Sequence, residues 1–152
     1  MISECSCKEK VGDVESMITV VRVFEPHITV HDVPFEKIVC DNKNGNKLYI
    51  EFDDKNEIRY KIDFENYNGL RVTAEDCARW NIIPEVPYYG MMYEIVNSDW
   101  ISQLKDNSKY TDPETRRYRH IMDNMHHYII GLGDYYVEII SKGYKLEKLT
   151  TT

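Results

Sequence analysis

The chain has 152 residues, 42% of them apolar and 30% charged, a balance that suits one folded domain with its own core and excludes a disordered tail. No stretch approaches the ~18 consecutive apolar residues that a membrane-crossing helix needs. The net charge of −7 is uneven: residues 1 to 99 hold 19 acidic and 11 basic side chains, residues 100 to 152 hold 7 and 8, which disfavours a nucleic-acid sheath and suits a basic protein partner.

Residues 1 to 16 are polar and aperiodic and read as a flexible arm, so the expected folded unit is a single α+β domain over 17 to 152. The N-terminus lacks the apolar centre of a signal peptide, and the expected compartment is the cytoplasm. The four cysteines are expected as thiols, with Cys40 and Cys77 at apolar positions of their elements. Cys5 and Cys7 have no nearby second pair or histidine to complete a zinc site.

Met17 to Phe24 is rich in β-branched residues and predicts a strand, which Pro26 interrupts before Ile28-Thr29-Val30. From Glu36 to Phe64 three strands alternate with a period of two. Ile38 and Cys40, then Leu48, Ile50 and Phe52, then Ile58, Tyr60, Ile62 and Phe64 fall on one face. A three-residue loop at Lys43-Asn44-Gly45, with Gly45 left-handed, sets Asp41 opposite Lys47 and Lys37 opposite Glu51. The same loop class at Asp54-Lys55-Asn56, with Asn56 left-handed, sets Phe52 opposite Ile58 and Glu51 opposite Arg59.

Thr73 with Asp76 resembles a capping box, opening a short helix that carries Cys77 and Trp80 and stops at Pro84 and Pro87. Met91 to Val96 predict a strand, and Asn97 or Ser98 caps a helix carrying Trp100, Ile101 and Leu104. A third helix is expected from Asp112, with Pro113 at its first position and a buried stripe of Tyr118, Ile121, Met122 and Met125. Strands around Tyr128-Ile129-Ile130 and Tyr135 to Ile140 follow, joined by a turn at Gly131-Leu132-Gly133-Asp134. Lys142-Gly143 then leads into Tyr144-Lys145-Leu146. The registers of these last strands stay open. The expected fold is α+β, an antiparallel meander of about five to eight strands, strongly curved in one version, with two or three short helices.

Chemistry-bearing residues are few. Gly131-Leu132-Gly133 lacks the third glycine and the following helix of a dinucleotide fingerprint. His120, Asp123, His126 and His127 form the densest polar cluster. If the Asp112 helix reaches residue 127, His120, Asp123 and His127 share a face and offer two imidazoles and a carboxylate. A helix-to-strand junction, with imidazoles near helix-end carbonyls, explains them without a ligand, so no metal, cofactor or catalytic residue is assigned. Arg116, Arg117 and Arg119 read as a solvated helix face. Asp53, Asp54 and Glu57 cluster at a hairpin tip, and Tyr88 and Tyr89 sit in a loop between Pro87 and Gly90; these five are the expected partner-contacting residues.

The acidic meander followed by Arg71-Val72-Thr73-Ala74-Glu75-Asp76-Cys77, then helices and a terminal hairpin, resembles small acidic bacterial α+β proteins, some of which are immunity partners of secreted toxins. The likeness is one of general character and carries over no functional residue. It implies a non-enzymatic protein-binding module of immunity or inhibitor type that neutralises a basic toxin. The alternative is a small-molecule-binding domain or small enzyme, with a pocket between the sheet and the Asp112 helix and the histidine cluster at its rim.

Overall fold

Strict two-residue alternation from Glu36 to Glu65 forces each strand to show one face to an apolar layer and one to water, and the structure is built on that pattern. The structure, a computed structural model, describes residues 21–31, 35–43, 45, 47–74, 92–106 and 122–149. Its strands are β1 Val21–Phe24, β2 Glu36–Asp41, β3 Lys47–Asp53, β4 Arg59–Glu65, β5 Gly69–Ala74, β6 Met92–Ile95, β7 His126–Leu132, β8 Tyr135–Ser141 and β9 Gly143–Lys148, with one helix, α1, Asp99–Asp106, after β6.

The described strands form two antiparallel sheets, ordered β1-β6-β7-β8-β5 and β2-β3-β4-β9. The antiparallel architecture matches the sequence reading. The strand count exceeds it, and one helix stands among the described residues where two or three were expected. Leu48, Ile50, Phe52, Ile62 and Phe64 from one sheet and Met92, Tyr128, Ile130, Leu132, Val137 and Ile139 from the other share a single buried core. Ile28 and Val30 plug its end, held by backbone hydrogen bonds from Lys55 N–H to the Thr29 carbonyl (2.8 Å) and from His31 N–H to the Asp53 carbonyl (3.0 Å).

One long ribbon joins the sheets. β4 pairs with β9 up to Glu65 opposite Gly143, and β5 pairs with β8 from Gly69 opposite Ile140. Three residues (66–68) separate the first pair of positions and two (141–142) the second, so β4–β5 carries one extra residue, a bulge. Asn66 at φ 48° absorbs the bend. The ribbon stays stitched through it, with Lys142 N–H donating to the Glu65 carbonyl (3.1 Å) and Asn68 N–H to the Ile140 carbonyl (2.8 Å).

The first hairpin has the expected register, Lys37 opposite Glu51 and Asp41 opposite Lys47, with Gly45 at φ 91°. The second does not. Phe52 faces Tyr60, Glu51 faces Lys61, and the left-handed residue is Glu57 (φ 63°), not Asn56. The cause is Asp54, whose buried Oδ1 accepts the N–H groups of Asn56 (2.8 Å) and Ile58 (2.9 Å). This Asx turn makes Asp54 the base of the loop, so the loop is Lys55-Asn56-Glu57.

Three further expectations change. Thr73 is not a cap but a β5 residue opposite Tyr136. Cys40 is a free thiol, yet exposed, since β2 ends its sheet among the described strands. The Asp112 helix cannot run to residue 127, since Met122 to Asn124 are a turn and β7 begins at His126. The expected helix of Cys77 and Trp80, the Asp112 to Ile121 stretch and residues 1 to 16 lie outside the described residues.

Candidate functional site

Because β7 is a strand, its two adjacent histidines point to opposite faces. His126 shares the core side with Tyr128 and Ile130; His127 shares the outer side with Ile129. The run that looked like one cluster in the sequence therefore serves two sites. Asp123 lies in the preceding turn, and His120 lies outside the described residues.

On the outer side, Arg71 of β5 stands directly opposite Glu138 of β8. Its Nε donates to Glu138 Oε2 at 2.7 Å and its Nη2 to Oε1 at 2.8 Å, a two-pronged pair. His127 Nε2 is 3.0 Å from Glu138 Oε1, and His127 Nδ1 is 2.7 Å from Ser98 Oγ. Of the two cap candidates, Asn97 and Ser98, Ser98 is the N-cap of α1: its Oγ also accepts the Ile101 N–H at 3.2 Å. With the imidazole proton on Nε2, the donors run in one direction. Ile101 N–H donates to Ser98, Ser98 O–H to His127 Nδ1, and His127 Nε2–H to Glu138, which Arg71 grips from the other side.

Trp100, in the first turn of α1, roofs this line. The Arg71 guanidinium lies 4.3 Å from its ring centroid and the His127 ring meets it edge-on at 5.3 Å. The floor beneath is Gly69, where a Cβ would stand 2.9 Å from Trp100 Cζ2, so a side chain there collides with the indole. Burial pushes the Glu138 carboxyl up, but the hydrogen bonds from His127 and Arg71, with Arg71's charge, outweigh it and hold the group down at about 2. It stays ionised at neutral pH.

On the core side, buried Glu94 takes Arg22, its register partner on β1, and His126 Nδ1. Burial would raise the Glu94 carboxyl; the hydrogen bonds from Arg22 and His126 reverse the sign and lower it. The His126 ring lies nearly parallel to Tyr128, and burial, followed by the Glu94 charge, pushes the Tyr128 hydroxyl up to about 12. Tyr144 O–H donates to Glu25 Oε1 at 2.9 Å and is likewise raised, by burial first and then by that bond.

Ser98, His127 and Glu138 are the residue types of an acyl-transfer relay. Here Ser98 and His127 are buried, the serine is committed to the helix N-terminus, and the carboxylate is neutralised by Arg71. The line works as a strut that fixes α1 on the outer side of the five-stranded sheet. Ser98 and His127 are 29 positions apart and Glu138 a further 11, so only an assignment of residues 126 to 132 as a strand would have brought them together in the sequence.

The expected contact residues divide. Asp53 is spent on Arg59, whose Nε donates to it at 2.9 Å, and Asp54 is buried in its Asx turn. Glu57 is exposed at the tip. Tyr88 and Tyr89 lie outside the described residues. A second exposed group was not foreseen: Phe35 (45% exposed) and Glu36 at the head of β2, with Asp134 and Tyr135 (46% exposed) at the β7–β8 turn. The Glu36 carboxyl is raised by burial and then by the Asp134 charge, so the two acids feel each other across the sheets. Phe35 packs on the Arg59 guanidinium, 4.0 Å from ring centroid to its carbon. Compared with family models, with curated proteins and with solved structures, the chain matches none.

Proposed function

We propose that the protein is a non-enzymatic protein-binding module, of bacterial immunity or inhibitor type, whose partner is basic. The observation that supports this is the group at the head of β2 and the β7–β8 turn: two half-exposed aromatic rings beside two acids that repel each other. A lysine or arginine from a partner relieves that repulsion while its stem covers Phe35 or Tyr135, the combination of a ring anchor and a desolvated charge that concentrates binding energy. Glu57 extends the acidic rim, and Tyr88 and Tyr89 are further contact candidates.

The test is affinity capture with the full chain and with a bait carrying Phe35→Ala, Glu36→Lys and Tyr135→Ala. A basic partner retained by the first and lost by the second, with an association rate that falls as salt shortens the Debye length from ~10 Å at 0.1 M toward ~3 Å at 1 M, supports the reading. Equal capture by both baits, or a salt-independent rate, removes it. The alternative, a small enzyme, is favoured by the Ser98, His127 and Glu138 line alone. Covalent labelling of Ser98 by a fluorophosphonate would select it.

A further inference from the structure

Among the described strands, four end the two sheets: β1 and β5 in one, β2 and β9 in the other. Three are ill-suited to further pairing. β1 has four residues with Arg22 among them, β9 carries Lys145, Glu147 and Lys148, and the single charge of β5, Arg71, is already paired with Glu138, which leaves no opposite charges to set a register with a further strand. β2 differs. Its centre is Ile38-Val39-Cys40, uncharged and apolar, flanked by Lys37 on one side and Asp41 on the other. We propose that β2 pairs with β2 of a second copy of this chain, antiparallel about a two-fold axis at Val39, so that two four-stranded sheets become one sheet of eight.

The register follows from faces and charges. A two-fold pairing keeps both core faces on the same side only if partner positions have the same parity, so the axis must pass through a residue. An axis at Cys40 sets Lys37 against the partner's Lys43. An axis at Ile38 sets Asp41 against the partner's Phe35. An axis at Val39 sets Lys37 against the partner's Asp41, twice by symmetry, and Ile38 against the partner's Cys40, also twice. Lys37 makes no ion pair among the described residues, and Asp41 has one oxygen committed, to the Lys43 N–H at 2.9 Å.

Burial points the same way. On β3, Leu48 and Ile50 are fully buried, while their β2 neighbours on that face are not: Cys40, opposite Leu48, is exposed, and Ile38, opposite Ile50, is half-buried. Among the described residues the core face thus runs out uncovered at this edge. A second copy brings its own Ile38 and Cys40 alongside and extends the apolar layer. This inference goes beyond the proposed partner site: its faces and charges lie on Lys37 to Asp41, while in the same register Glu36 and Phe35 stand beside the second copy's Asn42 and Lys43, so the two surfaces meet at the head of β2.

The experiment is sedimentation velocity of the full chain over a concentration series. The wild type is expected to move from the 18.0 kDa chain mass toward twice that value. Lys37→Glu and Asp41→Lys each place like charges at both contacts and should raise the dimer dissociation constant about tenfold or more. Mixed in equal amounts the two variants should associate again, since every altered side chain then faces an opposite charge. Val39→Glu, on the solvent side of the strand, sets two carboxylates against each other at the axis and gives a third variant should either reversal disturb the β2–β3 hairpin. Wild-type protein that stays at the monomer mass throughout, folded reversal variants that dimerise as well as wild type, or a mixture that remains monomeric would each overturn the proposal.

Discussion

The solvent side of the four-stranded sheet and the outer side of the five-stranded sheet both carry charged residues in register, and they use them differently. On the first, Lys37, Glu51, Lys61 and Glu147 form one row across β2, β3, β4 and β9, alternating in sign. Arg59 with Asp53, Lys61 with Asp63 and Lys145 with Glu65 add ion pairs, most with at least one partner well exposed. On the second, Arg71, Glu138, His127 and Ser98 form one line beneath Trp100, in which His127 and Ser98 are buried and Glu138 is partly buried. Exposed pairs are weak individually and screened by salt, so the first arrangement disfavours wrong registers more than it stabilises the right one. A buried line is costly to interrupt, since each remaining member keeps its desolvation penalty without its partner.

That contrast predicts its largest effect at Glu138. Replacing it with Gln should destabilise the protein by roughly 3 kcal/mol at neutral pH, the linkage equivalent of a carboxyl held from 4.5 to about 2, read as a lower urea midpoint with an unchanged slope. Since the folded-state value lies below the unfolded one, this stability is fully present above pH 4.5 and is lost as pH falls toward 2. The gap between wild type and Glu138→Gln should close over that window. A gap that stays constant would mean that packing, not charge, carries the line.

A smaller loss is expected at the floor of the same region. Gly69→Ala places a methyl group 2.9 Å from Trp100 Cζ2 and 3.2 Å from Ile140 Cγ1, and should cost about 1–3 kcal/mol by thermal unfolding, with a change in tryptophan emission as the indole shifts. An unchanged spectrum and melting temperature would show that α1 is not seated on the sheet by Trp100. The smallest effect belongs to the opposite face: Glu51→Gln, between Lys37 and Lys61, should change stability by about 0.2–1 kcal/mol and less in high salt. A loss as large as that at Glu138 would erase the distinction between the two faces.

The meander was legible in the sequence because two-residue alternation assigns faces without any knowledge of tertiary contacts. Its second hairpin shows where that signal stops. Phe52 opposite Ile58 and Phe52 opposite Tyr60 differ by two residues, which leaves every side chain on the same face, and Glu51 meets a cation either way, Arg59 or Lys61. Only the Asp54 side chain separates the two, and an aspartate capping its own turn does not stand out from the acids around it. The site was less legible still. Local context narrows the α1 cap to Asn97 or Ser98, but the rest of the Ser98 line comes from β5, β7 and β8, whose registers are set by distant strands. His126 and His127 fall at the junction between the expected Asp112 helix and the strand around Tyr128, and helical periodicity near Met122 and Met125 is easily extended over them, whereas the chain turns at Asn124 (φ 60°) and emerges as a strand.

The ribbon that passes from one sheet into the other has a consequence for how the chain assembles as it is synthesised. β2, β3 and β4 are contiguous and can pair as soon as they emerge, but the fourth strand of their sheet is β9, and the centre of the other sheet is β7 and β8. These are the last described strands to be made, and β5 must wait for a partner 67 positions downstream, Glu138 for Arg71. β8, the last strand of the five-stranded sheet, is followed directly by β9, the last of the four-stranded sheet, so the two halves should acquire structure in one late step. Such distant pairings belong to the slow end of single-domain folding. Until β8 and β9 emerge, the apolar side of the meander stays uncovered, and during that interval a nascent chain depends most on whatever shields it from its neighbours.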